Sequence, residues 1–346
     1  QHMLRHFIGK FYNNEKLNDA EYKISTHNWN KIGKIMEDNR KMMPLEFGRP
    51  PINIQKYYNS FKAKDWYNWT VLYLLPLFQN HLPTRHINGW AKFVRAIQLC
   101  LEPAISKEEL REIKVLFVDF IKYYECMGDM AIPNRKAMWN VIPLVHSQQN
   151  PYTNLTKQVA SEMFQINEHP FNPQNNEKKL YSLFKEHVMT KTEIRKIKQY
   201  YATVFDLSIT CIKKYGKLQT KFRVIIGSQF SNHKGDISRN NYSIVAKLLI
   251  NKNAHRPRAP IELEEQEFYG QVLFYFTHKH EGEISKLAYV HWVRSPEVYV
   301  NNIQYFHSFG EMGVININTI DRFVGFLKIA TNKYVIIDRE NWVIFR

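Results

Sequence analysis

Cysteine is scarce in this chain: Cys100, Cys126 and Cys211 are the only three in 346 residues, and each stands far from the others. An odd, scattered set excludes a disulfide framework and a Cys-x-x-Cys metal knuckle, so reduced thiols of an intracellular protein are expected. Long apolar runs are missing too. The longest, Trp69 to Phe78, is about half the ~20 residues that a bilayer-spanning helix needs. The stretch QHMLRHFIGKFYNNEK has no apolar core of a secretory leader. A nuclear or otherwise intracellular location follows as the expectation, not secreted and with no membrane partner. There is no internal repeat, coiled-coil heptad or low-complexity tract.

What is present belongs to a folded protein. Hydrophobic residues make up 44% and aromatic residues 14%, too apolar for intrinsic disorder, and the length allows two domains with cores of their own. The net charge of +16 is uneven. From Lys191 to Arg258 fifteen Lys and Arg face only Glu193, Asp206 and Asp236, whereas the stretch after Pro260 is mildly acidic. Such clustering favours a polyanion partner over a merely solvated lysine-rich surface.

The periodicity changes along the chain. Up to about residue 205 it is helical. Asp65 reads as the cap of a Trp66–Phe78 helix, and Ser106-Lys-Glu-Glu109 as a capping box ahead of Leu110, Ile113, Phe117, Phe120, Ile121 and Tyr124. Further helices are expected over Tyr152–Phe164, Asn176–Val188 and Thr192–Phe205, with a linker at His169–Asn176. After Asp206 come short β-branched and aromatic runs: KLQTKFRVIIG, NNYSIVAKLLI, FYGQVLFYF, KLAYVHWV, RFVGFLKI, KYVIID and WVIF, with a hairpin tip at His280–Glu283. The fold class expected is α+β: an all-α N-terminal domain followed by a β-barrel or sandwich. Boundaries are expected for an extension (1–48), a helical domain (49–168), a linker with basic helices (169–205) and a β-rich domain (206–346).

Several blocks carry a family resemblance. Trp66-Tyr-Asn-Trp69 leads an apolar helix, a Leu-Pro turn follows, and then WAKFVRAIQLCL. Further on come Ser238–Ser243 (SRNNYS), Phe268–Gly270 (FYG), Leu287–Trp292 (LAYVHW) and Asp321–Phe326 (DRFVGF). In this order they resemble the region that follows the catalytic core in fungal CACTA-type (En/Spm-like) transposases, from about Phe47 onward. The strand pattern after residue 206 is also similar in style to bromo-adjacent homology domains of chromatin proteins. The resemblance implies that the first two metal-binding carboxylates of a DDE active site belong to a ribonuclease-H-like core upstream of Arg49, for which 48 residues are too few. Where it implies a Cys/His segment and the last acidic residue, this chain has only ECMGDMAIPNRKAMWNVI, with Glu125, Asp129 and Cys126. No catalytic residue, metal site or cofactor is therefore assigned.

The candidate nucleic-acid-binding residues are Arg195, Lys196, Lys198, Lys213, Lys214, Lys217, Lys221, Arg223, Lys234, Arg239, Arg256 and Arg258. Such an array neutralises phosphates with little sequence preference. His278 and His280 alternate beside Glu281 and Glu283, a spacing open to a metal but more common for exposed polar residues, which is the expectation. Tyr269, Phe274, Tyr275, Phe276, Tyr289 and Trp292 could line a methyl-lysine cage, though strand aromatics usually fill cores. The expected function is a transposon-derived, non-catalytic accessory module that binds DNA or chromatin, with chromatin proteins or a transposase catalytic core as further partners. Two alternatives stay open: a DDE transposase fragment active only with a missing core, and a module that binds a histone or partner peptide.

Overall fold

The structure, a computed structural model, describes residues 22–126 except 103, residues 178–340 except 182–183, 202–210, 221–223, 232–238, 257 and 281, and residues 4, 7 and 8. The helix expected over Tyr152–Phe164, the linker at His169–Asn176 and the WVIF run lie outside the described residues. Contacts divide the chain into two compact units, one of residues 1–91 with 178–346 and one of residues 92–177. The expected boundaries followed secondary-structure type; this grouping instead joins the first helices to the strands.

In the first unit, Ser25 caps α1 (Thr26–Asp38) by accepting from the Asn28 N–H, and Trp29, Ile32 and Met36 bury one face at helical spacing. Asn53 opens the short helix α2 (Ile54–Tyr57), accepting from the Lys56 N–H while its amide donates to Glu37 of α1. Helix α3 (Ala63–Asn68) begins three residues before the expected start at Trp66. Lys62 is the cap, and Asp65, at the third helical position, accepts from the Lys62 N–H at 2.9 Å. Its carboxylate still faces the positive end of the helix. A widened π turn at Trp69–Tyr73 leads into α4 (Leu74–Phe78), where Pro76 has no N–H to return to the preceding turn. The Trp69 ring packs 6.2 Å from Trp29 and 5.7 Å from Phe78. After Leu82-Pro83 the chain enters α5 (Thr84–Cys100).

The described part of the second unit holds the end of α5 and α6 (Lys107–Cys126). The capping box forms both its bonds, Ser106 N–H to Glu109 at 2.7 Å and Glu109 N–H to the Ser106 hydroxyl at 3.1 Å. Ile113, Leu116, Phe120 and Tyr124 are buried, while Leu110 is exposed. Arg95–Glu112 and Lys92–Asp119 pairs, both 2.9 Å, and the Phe93 ring 4.9 Å from Phe120 join the two helices.

Residues 178–340 form β1 (Lys179–Tyr181), β2 (Lys185–Val188), α7 (Lys191–Tyr201), β3 (Cys211–Tyr215), β4 (Lys217–Gln219), β5 (Ile225–Ile226), β6 (Ser243–Asn251), β7 (Leu263–His280), β8 (Glu283–Val293), β9 (Glu297–Val298), β10 (Gln304–Phe306), β11 (Phe309–Asn316), β12 (Ile320–Phe323), β13 (Gly325–Ala330) and β14 (Lys333–Ile337). The class is α+β, with helices first and antiparallel sheets after them. One sheet runs β11-β8-β7-β3-β2, with β6 joining β7 and β12 joining β6; the others are β13-β14-β10-β9 and β1-β4-β5. The helix expected over Asn176–Val188 is absent: β1 and β2 occupy that stretch because β4 and β3 supply them with backbone partners.

β7 is the spine. Val272 pairs with Val290 and Phe274 with Tyr289, so Leu273 is an extra, bulged residue that reverses which side chains face which way. Val272 and Tyr275 join Ile244, Ala246, Ala288 and Val290 on one face. Phe274 and Phe276 join Leu287, Tyr289 and Ile197 of α7 on the other. Burial on both faces explains why KLAYVHWV is a continuous apolar run rather than an alternating one. The hairpin tip is where expected: His280 pairs with Glu283, and Gly282 takes φ +90°.

Residues 39–48 are knit to the strands. Asn240 N–H donates to Lys41 O at 2.7 Å, and Leu45 N–H to the Asn241 side chain at 2.9 Å. A Cβ on Gly325 would stand 2.7 Å from Met43 Sδ, and one on Gly270 2.6 Å from Val290, so both close approaches need glycine. Arg322 sits among Asp338 (2.7 Å), Glu267 (2.8 Å), Asp321 (2.6 Å) and Glu340 (3.4 Å), which together secure its charge. The SRNNYS, FYG and DRFVGF blocks thus hold packing and bonding positions.

Candidate nucleic-acid interface

The basic helix α7 is anchored by a second capping box. Thr190 accepts from the Glu193 N–H at 3.3 Å and its own N–H donates to Glu193 at 2.7 Å. Glu193 also lies 3.0 Å from His187 Nε2 and 3.8 Å from Lys214 Nζ. Burial alone would raise this carboxyl, but the Thr190 and His187 hydrogen bonds and the Lys214 charge outweigh it and hold it below the usual value. Ile194 and Ile197 turn inward, leaving Arg195 exposed. Lys196 is held by Glu311 at 2.7 Å with little of its side chain in water, and Lys198 is half-buried.

The adjacent lysines of β3 have opposite fates, as strand alternation requires. Lys213 faces solvent, its ammonium 4.7 Å from the centre of the Phe184 ring. Lys214 points inward, 3.7 Å from the centre of the Phe274 ring and 14% exposed; burial lowers its pKa against the pull of Glu193. Beyond Gly216, Lys217 is exposed opposite Tyr181.

The remaining candidates are not brought to this place. Arg239 turns into the protein, donating from Nε to Met43 O at 2.8 Å and from its two other nitrogens to Gly48 O and Pro44 O. Its charge serves three backbone carbonyls rather than a ligand. Arg256 and Arg258 are exposed near the β6–β7 turn. Asn251 at that end pairs with Leu263, whereas Lys213 pairs with Thr277, and those partners lie about 45 Å apart along an extended strand. Lys221, Arg223 and Lys234 lie outside the described residues. The twelve positions therefore do not form one continuous belt.

Two lysines absent from the candidate set join the first group. β1 with β4 and β2 with β3 are antiparallel pairs of two different sheets that follow each other across Gly216. On this two-part ribbon Lys179 and Lys217 are exposed on the first pair and Lys185 and Lys213 on the second, Lys185 on the face of its partner Lys214 and Lys213 on the other. Glu186, opposite Lys213, is the acidic residue among them. The sequence signal was charge on alternate sides of KKLYSLFKEHV, masked by helical spacing of its apolar residues.

Other constellations resolve into packing. His278 is buried and its Nδ1 lies 2.9 Å from the Tyr201 hydroxyl; the side chains of His280 and Glu281 are outside the described residues. Among the described residues no group of three or more His, Cys, Asp or Glu is placed to hold a metal ion. The Glu125 and Cys126 side chains and Asp129 are outside them. Tyr269, Phe274, Tyr275, Phe276 and Tyr289 are all buried, so they fill the cores rather than line an open cage. Among the described residues no helix is long and apolar enough to cross a membrane. Comparison with family models, curated proteins and solved structures finds no match for this chain.

Proposed function

We propose that the chain is a non-catalytic, mobile-element-derived module that binds DNA in chromatin, mostly through phosphates and with little sequence preference. The observation that carries this reading is the ribbon with four exposed lysines, Lys179, Lys185, Lys213 and Lys217, on its paired strands. Ammonium groups that keep their water and their mobility release counterions from a polyanion at small desolvation cost. The resemblance of the SRNNYS, FYG and DRFVGF blocks to CACTA-type transposases supports the ancestry. For the strand-rich region the bromo-adjacent homology likeness, barrel-like closure included, rests on its antiparallel strand pattern and brings with it a nuclear location. Chromatin proteins or a transposase catalytic core are the further partners this reading implies.

The test is fluorescence anisotropy with a labelled duplex over a series of salt concentrations. Binding by the wild-type chain should fall steeply with salt. Reversing Lys185, Lys213 and Lys217 to Glu should weaken it and flatten the plot of log K against log salt by roughly one unit per lysine. A charge-reversed chain that binds like wild type would overturn the reading.

A further inference from the structure

We infer that the ribbon takes single-stranded nucleic acid in preference to duplex, with Phe184 and Tyr181 as the surfaces on which bases stack; the inference rests on the nucleic-acid reading above. Both are large aromatic side chains left in water, Phe184 52% and Tyr181 48% exposed. Neither is loose. The Lys213 ammonium sits 4.7 Å from the Phe184 centroid, and the Tyr215 ring lies 6.2 Å away at 49°. Tyr181 stands directly opposite Lys217, and because Leu180 and Leu218 between their neighbours pack into the core, Tyr181 and Lys217 are turned outward.

An exposed aromatic ring beside a lysine offers a π-face for a base and a charge for the phosphate that accompanies it. A duplex hides its base faces in its own stack, so it can use the lysines but not the rings. A single strand can use both. Tyr181 and Phe184 are at most about 11 Å of extended chain apart, within the span of one short strand, and each has its own lysine, Lys217 and Lys213.

The experiment measures the full chain's affinity for a labelled single strand of about a dozen nucleotides and for the matching duplex at one salt concentration. The single strand should bind more tightly. Phe184→Ala and Tyr181→Ala should each lower single-strand affinity about five- to a hundredfold while leaving duplex affinity and the salt slope unchanged. Phe184→Trp should keep it, and unchanged melting curves show that the variants fold. Equal affinity for the two forms, or ring removal that weakens both alike or neither, overturns the inference while the phosphate-binding reading stands. If wild type binds neither form, that underlying reading falls first.

Discussion

The side chain of Asn39 and the backbone of Lys328 are joined by two hydrogen bonds. Asn39 Nδ2 donates to Lys328 O at 2.9 Å, and Lys328 N–H donates to Asn39 Oδ1 at 2.7 Å. A carboxamide carries the same donor and acceptor as a peptide group, so Asn39 stands in for a neighbouring strand on β13, the outer strand of its sheet. Asn39 is 2% exposed, so no water replaces a lost bond freely. Asn39→Asp removes the donor and sets a carboxylate against the Lys328 carbonyl. Urea denaturation should show a loss of about 1–3 kcal/mol.

Arg239 separates stability from binding. Arg239→Lys keeps the charge but cannot span the Met43, Pro44 and Gly48 carbonyls with one ammonium. Stability should fall by about 2–4 kcal/mol, whereas the folded variant should bind nucleic acid as wild type does. A parallel loss of affinity at temperatures where the variant is fully folded would show that Arg239 reaches the ligand.

Lys213 and Lys214 make a matched pair of probes. Lys213→Met should lower the salt slope of binding by roughly one unit. Lys214→Met should leave it unchanged, because that ammonium is held between the Phe274 ring and Glu193. Anisotropy titrations at several salt concentrations read both.

Glu193 sets an acid dependence whose sign is fixed. Its folded pKa lies below the ordinary 4.5, so its contribution to stability is complete above that value and is lost as pH falls through the lower folded one. Wild type should be more stable than Glu193→Gln near neutrality, and the gap should close in acid. Thermal melts from about pH 7 to about pH 3 would record this; a constant gap would mean the carboxylate's charge contributes nothing.

Local signals were legible in the sequence and long-range ones were not. The Ser106–Glu109 capping box needs only four residues to specify it, and it forms as read. The stretch around Leu180, Phe184 and Val188 has apolar residues four apart, which spells helix, yet strands form there because β3 and β4, some thirty residues on, compete for its backbone. β11 was not foreseen: Gly310, Glu311 and Gly313 break its apolar pattern, and it forms by pairing with β8. His278, expected to be an exposed polar residue, is instead buried against Tyr201, a partner that no local pattern reveals. Charge density located the basic region, but not which cations turn inward. Lys214 and Arg239 are spent on partners that only the tertiary fold supplies.

The unit built from residues 1–91 and 178–346 imposes an order on synthesis. Asn39 and Lys328 are 289 residues apart, roughly 15–60 s of translation at 5–20 residues per second. Through that interval the first helices can pack on one another, as Trp29 does on Trp69 and Phe78, but the bonds that residues 39–48 make to the strands have no partner yet. Only when β13 is made can Asn39 take up its two bonds to Lys328 and the unit close.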